Sequence, residues 1–545
     1  MSGATVCGVM TVAATASDDV GVVGVQFKVN GVINLGGEVA ALPYSALAFT
    51  DNVANGSYTL TAVARDAAGN QTTSAPVAVT VANPPQGRTC KFIPTFLVYY
   101  GAGRQLVTGD APALARFDGL DTGAYRYFDM YGRLNTTPTT NTWTAIRAIN
   151  PYISIFLYKM GAEDSNFEDD MAPEGLTGID RYNVSRGHSM GSLNGNHPEL
   201  FLRDSEGNLI YNADFSKPAE NEFWHLMDFG SATYQSYWVE AALTDLVFQP
   251  GGSPQPWVAD GVFADNCLTV LNPFSSPPSA PFTAIPPQYN TDAAWSEAMN
   301  NFVRAITAGL HRFGQRVWCN RDQSQFPNGF NAWLALDAGP NPPDVVAEEG
   351  AFAVSWGSRA TQFFPEESWK RQVDVMGAIN HSSIAIFSHT TLAEGMEGID
   401  NWGMPVTFWQ TLWYSLGSFL LGRNDVLNNA YFQFAGNGNH YNRILWYDEY
   451  DMINLGRALG PYAVTPVDSG NGFVNVYWRE FEKGYVYVNP DGGATNPRDV
   501  SVHLPQTCTC RQLTHENLNT PASQLSVVTD ILLKAHTAAI VLKTQ

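Results

Sequence analysis

Two short segments far apart in the chain share one form, and together they limit what it can fold into. Residues 257–270 read WVADGVFADNCLTV and residues 344–352 read DVVAEEGAF. Each opens its core with an Asp, runs through a few apolar residues and ends in carboxylates. A strand covered on both faces reads as a short apolar run of this kind. In a barrel of alternating strands and helices, the C-terminal strand ends open onto the ligand side. Laid over one another from Asp260 and Asp344, the segments set Asp265 opposite Glu349. Two carboxylates on neighbouring strand ends are what glycoside cleavage requires.

The rest of the chain frames these segments with three domains. Residues 1–84 alternate apolar and polar around Asn-Gly and Gly-Asn turns, as in VGVVGVQFKVNG and NGSYTLTAVARDAAGN, which predicts a small antiparallel β-sandwich. A stiff Pro-rich linker follows at 83–87. Residues 92–445 alternate strands with amphipathic helices and predict a central (β/α)8 TIM barrel. The expected strands are 95–100, 125–130, 153–158, 261–265, 316–320, 345–349, 384–388 and 431–434. The expected helices are 143–149, 233–247, 292–313, 368–379 and 406–421. Long insertions after the third and fourth strands, at 160–232 and 271–290, would shape a cleft. Residues 446–545 return to a β pattern and predict a C-terminal antiparallel β-sandwich. The fold expected is thus multidomain, and no GxGxxG or P-loop follows any strand to support an open sheet.

Composition narrows the partners. The chain has 545 residues, with 30 basic against 51 acidic side chains and a formal charge of −21, which argues against nucleic acid and anionic membranes. No apolar run is long enough for a membrane span. No zinc or other metal motif appears, and no cofactor is expected. Met1 is followed by Ser-Gly-Ala-Thr, not by a leader, so a chain trimmed of its signal is expected, monomeric and secreted or cell-surface. Cys267 and Cys319 suit either a bridge or buried free thiols, while Cys508 and Cys510, one residue apart, are not expected to pair.

Strand alternation turns Glu349 into the barrel mouth and Glu348 toward the helices, with Glu348 kept as the alternative. Burial would raise the pKa of the glutamate and suit it to donate a proton. Candidate substrate-binding residues at or near strand ends are Tyr100, Asp129, Lys159, Asp228, Asn320, Arg321 and His389, with Trp356 and Trp224 able to stack on a sugar ring. Loop anchoring or core filling is the plainer role for each. A basic set of Arg104, Arg133, Lys159, Arg181, Arg186, Arg203 and Arg321 would suit an anionic or sulfated glycan. Scattered surface charge is the simpler reading. The acidic run 163–170 reads as a solvated loop, lacking the spacing of a calcium loop.

The segments INPYISIFLYKMG, HPELFLRDSEGNLIY, MDFGSATYQSYWVE, ADGVFADNC, DVVAEEGAF and EYDMINLGRALGPY resemble the hypothetical glycosyl hydrolase family 15 group. More distantly they resemble the TIM-barrel endo-α-1,4-polygalactosaminidases. ASDDVGVVGVQFKVNG, ALPYS and NGSYTLTAVARDAAGN resemble bacterial immunoglobulin-like modules, for which a spacer role is expected. The barrel resemblance implies a polysaccharide or oligosaccharide substrate, cleaved from within the chain with retention. It places the nucleophile at Asp265, ending the fourth strand, and the acid/base at Glu349, ending the sixth. A non-catalytic carbohydrate-binding protein and a polysaccharide lyase are the alternatives.

Overall fold

The computed structural model describes residues 3–6, 9–42, 44–50, 53–82, 91–99, 108–122, 142–165, 197–213, 216, 218–220, 223–246, 259–271, 282–355, 361–425, 430–436, 443–491 and 498–544. The chain divides into two compact units, Met1–Lys91 and Phe92–Gln545.

The first unit is a mainly antiparallel Ig-like domain with one parallel pair, Ala4–Val6 beside Val77–Val81. Its main sheet is built around Val22–Val29 and Gly56–Asp66, and Val9–Ala13 pairs with Ser45–Phe49 in a second sheet. Val12, Val25, Phe27, Tyr44 and Ala48 form its small core. The alternation of burial along Val22–Val29 follows the period of two that the sequence displays.

The second unit holds a parallel sheet of eight strands in chain order. They are β1 Phe96–Tyr99, β2 Gly119–Thr122, β3 Ser154–Met160, β4 Gly261–Asp265, β5 Arg316–Asn320, β6 Val345–Glu348, β7 Ser383–His389 and β8 Ala430–Ala435. A parallel bridge from Thr95 to Phe432 joins the first strand to the last and nearly closes the sheet into a barrel. The strands are apolar on both faces for a simple reason. One face meets the helices, and the other fills the interior with Phe96, Val98, Phe156, Tyr158, Phe263, Trp318, Val345, Ala347, Ala385 and Tyr431. Trp318 occupies the centre, with ring centroids 3.6 Å from Phe96 and 5.2 Å from Phe156.

Helices follow the strands: α1 Ala111–Leu114, α2 Thr142–Ile149, α3 Ala232–Leu246, α4 Asp292–His311, α5 Pro327–Ala338, α6 Glu366–Ala378 and α7 Phe408–Gly422. Among the described residues the ring is thus thinner than eight full helices, since α1 is a single turn. In α4 the hydroxyl of Thr291 caps the first turn by accepting from Ala294 N–H. Trp295, Met299, Phe302, Ile306 and Leu310 then recur at helical spacing on the buried side. By contrast, α7 is buried all round because a second layer covers it. That layer is a five-stranded antiparallel sheet whose strand Thr537–Thr544 packs on α7. Contact is so close that a Cβ on Gly417 would stand 2.4 Å from Ala538 Cβ. A further pair, Val500–His503 with Asp530–Leu533, shares a core with this sheet. No helix among the described residues is long and apolar enough to cross a membrane.

Three expectations change. The second barrel strand is Gly119–Thr122, not 125–130, a stretch outside the described residues. α5 was not foreseen, because its Pro327-Asn328-Gly329 start reads as a turn, whereas Pro sits well in a helix's first turn. Cys508 and Cys510 are paired after all, their Cα atoms 5.0 Å apart and so within disulfide reach. Cys267 and Cys319 are buried free thiols.

Candidate active site

The strand ends β4, β5 and β6 converge on one amide. Asn320 Nδ2 donates to Asp265 Oδ1 at 2.9 Å and to Glu349 Oε2 at 2.5 Å. The two carboxylates lie 84 positions apart in the chain, yet each is one hydrogen bond from the same nitrogen. Asp265 also accepts the Tyr158 hydroxyl at 2.5 Å on Oδ2 and the Asn266 N–H at 2.8 Å on Oδ1. Its backbone is equally fixed. Asp265 O accepts Gly161 N–H at 2.8 Å, and a Cβ on Gly161 would come within 2.6 Å of that oxygen. The Trp238 indole and Tyr234 hydroxyl hold the neighbouring carbonyls of Met160 and Gly161.

Alternation sorts the strand-end residues into those facing the mouth and those facing the helices. Val345 and Ala347 lie in the barrel interior, so Glu349 continues that face, while Glu348 continues the outer face of Val346. Glu348 is buried at 1 % exposure and accepts Ser324 N–H at 3.0 Å. Lys159 lies between the inward Tyr158 and Met160 and pairs with outward Ala264, so it faces the helix layer. Arg321 is fully buried and donates to Asn300 of α4 at 2.7 Å. Neither lines the mouth, because each is one residue out of phase with it.

Asp228 accepts the Tyr289 hydroxyl at 2.5 Å and thereby ties two loops. His389 continues the inward face of Ala385 and is buried. Ser355 N–H donates to its Nδ1 at 3.0 Å, so the neutral ring carries its proton on Nε2. Trp224, on an antiparallel pair formed by Glu163–Ser165 and Trp224–Leu226, packs on the interior cluster. Tyr100, Asp129 and Trp356 lie outside the described residues, as do Arg104, Arg133, Arg181 and Arg186. Arg203 donates to Gly207 O within its own turn.

Four residues that the sequence reading did not place in the site belong to this region: Asp121, Tyr158, Glu163 and Asp322. Asp121 pairs in register with Val98 and Phe156 and so points into the barrel, where it is buried. Asp322 Oδ1 accepts Glu349 N–H at 2.5 Å. Glu163 opens the acidic run that was expected to be solvated. It is instead a buried strand residue, 2 % exposed, with Asn212 donating to it at 3.1 Å. The signal for Tyr158 was present, since it precedes Met160 by two on the strand beside Asp265. Asp322 follows β5 with a positive φ, which the sequence does not announce.

Burial and mutual repulsion raise Glu349, Asp322, Glu348 and Glu163 together. Glu349 is held well above the usual carboxylate range by loss of water, then by Asp265 and Asp322, with Asn320 opposing and Asp121 adding to the rise. Burial takes Asp322 to about 7, with Asp265 adding. It takes Glu348 to about 8, with Asp322 adding, and Glu163 to about 8, with Asp265 adding and Asn212 and Asn266 opposing. Backbone strain gathers in the same place. Asn266, Asp322, Gln323 and Phe352 have φ of 52°, 46°, 69° and 62°, a conformation costing about 1–3 kcal/mol for such residues and tending to cluster at functional sites. A glutamate whose pKa is raised, beside an aspartate that accepts all three of its bonds, could protonate a leaving oxygen while the aspartate attacks an anomeric carbon.

Among solved structures the chain is similar to a family 39 glycoside hydrolase from Bacteroides cellulosilyticus WH2, at 9% identity over 99% of this chain and 98% of that one, with a TM-score of 0.36. It is similar to Aspergillus fumigatus Ega3, solved in complex with galactosamine, at 9% identity over 66% and 97%, with a TM-score of 0.30. It is also similar to a cycloalternan-degrading enzyme from Trueperella pyogenes, at 9% identity over 92% and 70%, with a TM-score of 0.38. No curated protein matches. Residues 1–62 match the bacterial Ig domain. Residues 147–485, which contain Asp265, Asn320 and Glu349, match hypothetical glycosyl hydrolase family 15, and the chain belongs to that family of glycoside hydrolases.

Proposed function

We propose that the chain is a retaining, endo-acting glycosidase in which Asp265 is the nucleophile and Glu349 the acid/base. The observation that carries this reading is the single Asn320 amide bonded to both carboxylates. Their nearest oxygens are no farther apart than two hydrogen bonds laid end to end, which suits the ~5–5.5 Å separation of retaining enzymes. Asp265 attacks the anomeric carbon as the glycosidic C–O bond breaks, and the Glu349 proton passes to the leaving oxygen. Glu349, now ionised, takes a proton from water, which attacks the glycosyl ester and frees Asp265. Ester formation removes the charge on Asp265, and that favours ionisation of Glu349 for the second step.

Endo action is proposed from the resemblance to the endo-α-1,4-polygalactosaminidases. Among the described residues, the charge of the mouth favours a neutral or amino sugar over an anionic or sulfated one. Asp121, Asp265, Asp322 and Glu349 gather there, while Lys159 and Arg321 face away from it. Asn320, His389 and Trp224 are proposed as sugar contacts, and Asp228 as a loop anchor. We further propose three domains, an Ig-like spacer at 1–84, the barrel at 92–445 and a C-terminal β-sandwich at 446–545, in a monomer acting outside the cell or at its surface.

The test is incubation with neutral, amino, uronic and sulfated polysaccharides, with mass spectrometry of the products and NMR of the first anomer released. Retention of configuration and internal cleavage of a neutral or amino polymer are expected. Products of inverted configuration would reject Asp265 as nucleophile, and unsaturated products would mark a lyase.

A further inference from the structure

We propose that Asp322 and Glu348 are positioning residues that clasp the proton donor from two sides, with neither touching the sugar. This rests on the reading of Glu349 as that donor. After β5 the chain turns through Asp322 and Gln323, both in left-handed backbone. Ala347 O receives Arg321 N–H at 3.0 Å and Asp322 N–H at 3.2 Å, so the turn lies across β6. From that footing two side chains cross in opposite directions. Asp322 Oδ1 takes the backbone N–H of Glu349 at 2.5 Å, and Glu348 Oε2 takes the backbone N–H of Ser324 at 3.0 Å.

The turn is anchored from behind. The Trp333 indole and the Thr269 hydroxyl both donate to Asp322 O, at 2.9 and 3.2 Å. Gln372 of α6 holds the chain just beyond Glu349, donating to Gly350 O at 3.0 Å and accepting Phe352 N–H at 2.9 Å. The peptide that carries Glu349 is therefore held on both sides, and its side chain meets the Asn320 amide.

Charge completes the argument. Glu349 is faced by Asp265 from β4, Asp121 from β2 and Asp322 from the turn, while Glu348 faces Asp322 from the other side. All are carboxylates, so removing the charge of Asp322 should let Glu349 lose its proton at lower pH.

The test measures kcat and KM from pH 4 to 10 on the full chain, with the polysaccharide cleaved in the panel above. Asp322→Asn keeps the acceptor and removes the charge. Its basic limb of kcat should move down by about 0.5–1 pH unit with KM changed less than about twofold. Asp322→Ala also loses the bond, and kcat should fall by about 10²-fold. A profile for Asp322→Asn that superposes on the wild type overturns the proposal. Glu348→Gln should cost less than about tenfold, and a loss matching that of Glu349→Gln would make Glu348 a catalytic residue and overturn it as well. Glu349→Gln with wild-type kcat would instead defeat the donor assignment, an outcome read separately from the Asp322 profile. A crystal structure of Asp322→Ala needs no substrate: Glu349 should leave Asn320, and a Glu349 still bonded there refutes the clasp.

Discussion

The Ig-like unit and the rim formed by β4, β5 and β6 use polar residues in opposite ways. In the first unit a few apolar side chains, Val25 and Phe27 foremost, make the core, and charge stays outside, as in the exposed pair Arg65–Glu38. At the rim, carboxylates are drawn inward, bonded to backbone N–H groups and amides, and held above their ordinary pKa. Burying such groups lowers stability unless every oxygen is answered. The unit proposed as a spacer has no cause to bear that cost, while a site proposed to keep one acid protonated does.

Substitutions sharpen this contrast, and the largest effect is expected for Asp265→Asn and Glu349→Gln. Each should lower kcat by at least about 10³-fold, read as reducing ends released, with circular dichroism unchanged. Next comes Asn320→Ala, which frees both carboxylates from their shared amide and should cost about 10²-fold in kcat. A wild-type rate for Asn320→Ala would remove the amide from the argument.

Smaller still is a stability effect at Glu163. Its pKa is raised to about 8 in the fold, so its contribution is full below the unfolded value of about 4.3 and is lost as pH rises through 8. Glu163→Gln keeps an acceptor for Asn212 and cannot ionise. It should melt ~1–3 °C above the wild type at pH 9 and show no such gain at pH 4. Removal of residues 1–91 should change kcat on a soluble oligosaccharide less than about twofold. A large loss there would show that the contrast between spacer and rim is false.

How far the sequence reveals this depends on how apolar each strand is. GVFAD and RVWCN have the bounds expected of them, because continuous apolar runs between turn residues leave little choice. GLDT was missed, since a four-residue strand with an Asp inside it has the composition of a turn. That Asp is buried in the barrel, so the strand and a residue of the site were lost together. Lys159 and Arg321 were placed at the mouth for their position near strand ends, when phase with Tyr158 and Trp318 would have turned them outward. The pairing of Asp265 with Glu349 was legible because two like segments could be laid side by side. The Asn320 bridge between them is a matter of side-chain geometry, which no pattern of residue types encodes.

An amide nitrogen has two hydrogens, and at Asn320 each is committed to a different acid. Aspartate has nearly the outline of asparagine and nothing of the kind to give. Hydrolysis of that one side-chain amide to the carboxylate would leave the rim's outline nearly intact while setting a new anion between two others. The lifetime of the working enzyme would then be set by the chemical survival of a residue that takes no part in the bond-making itself.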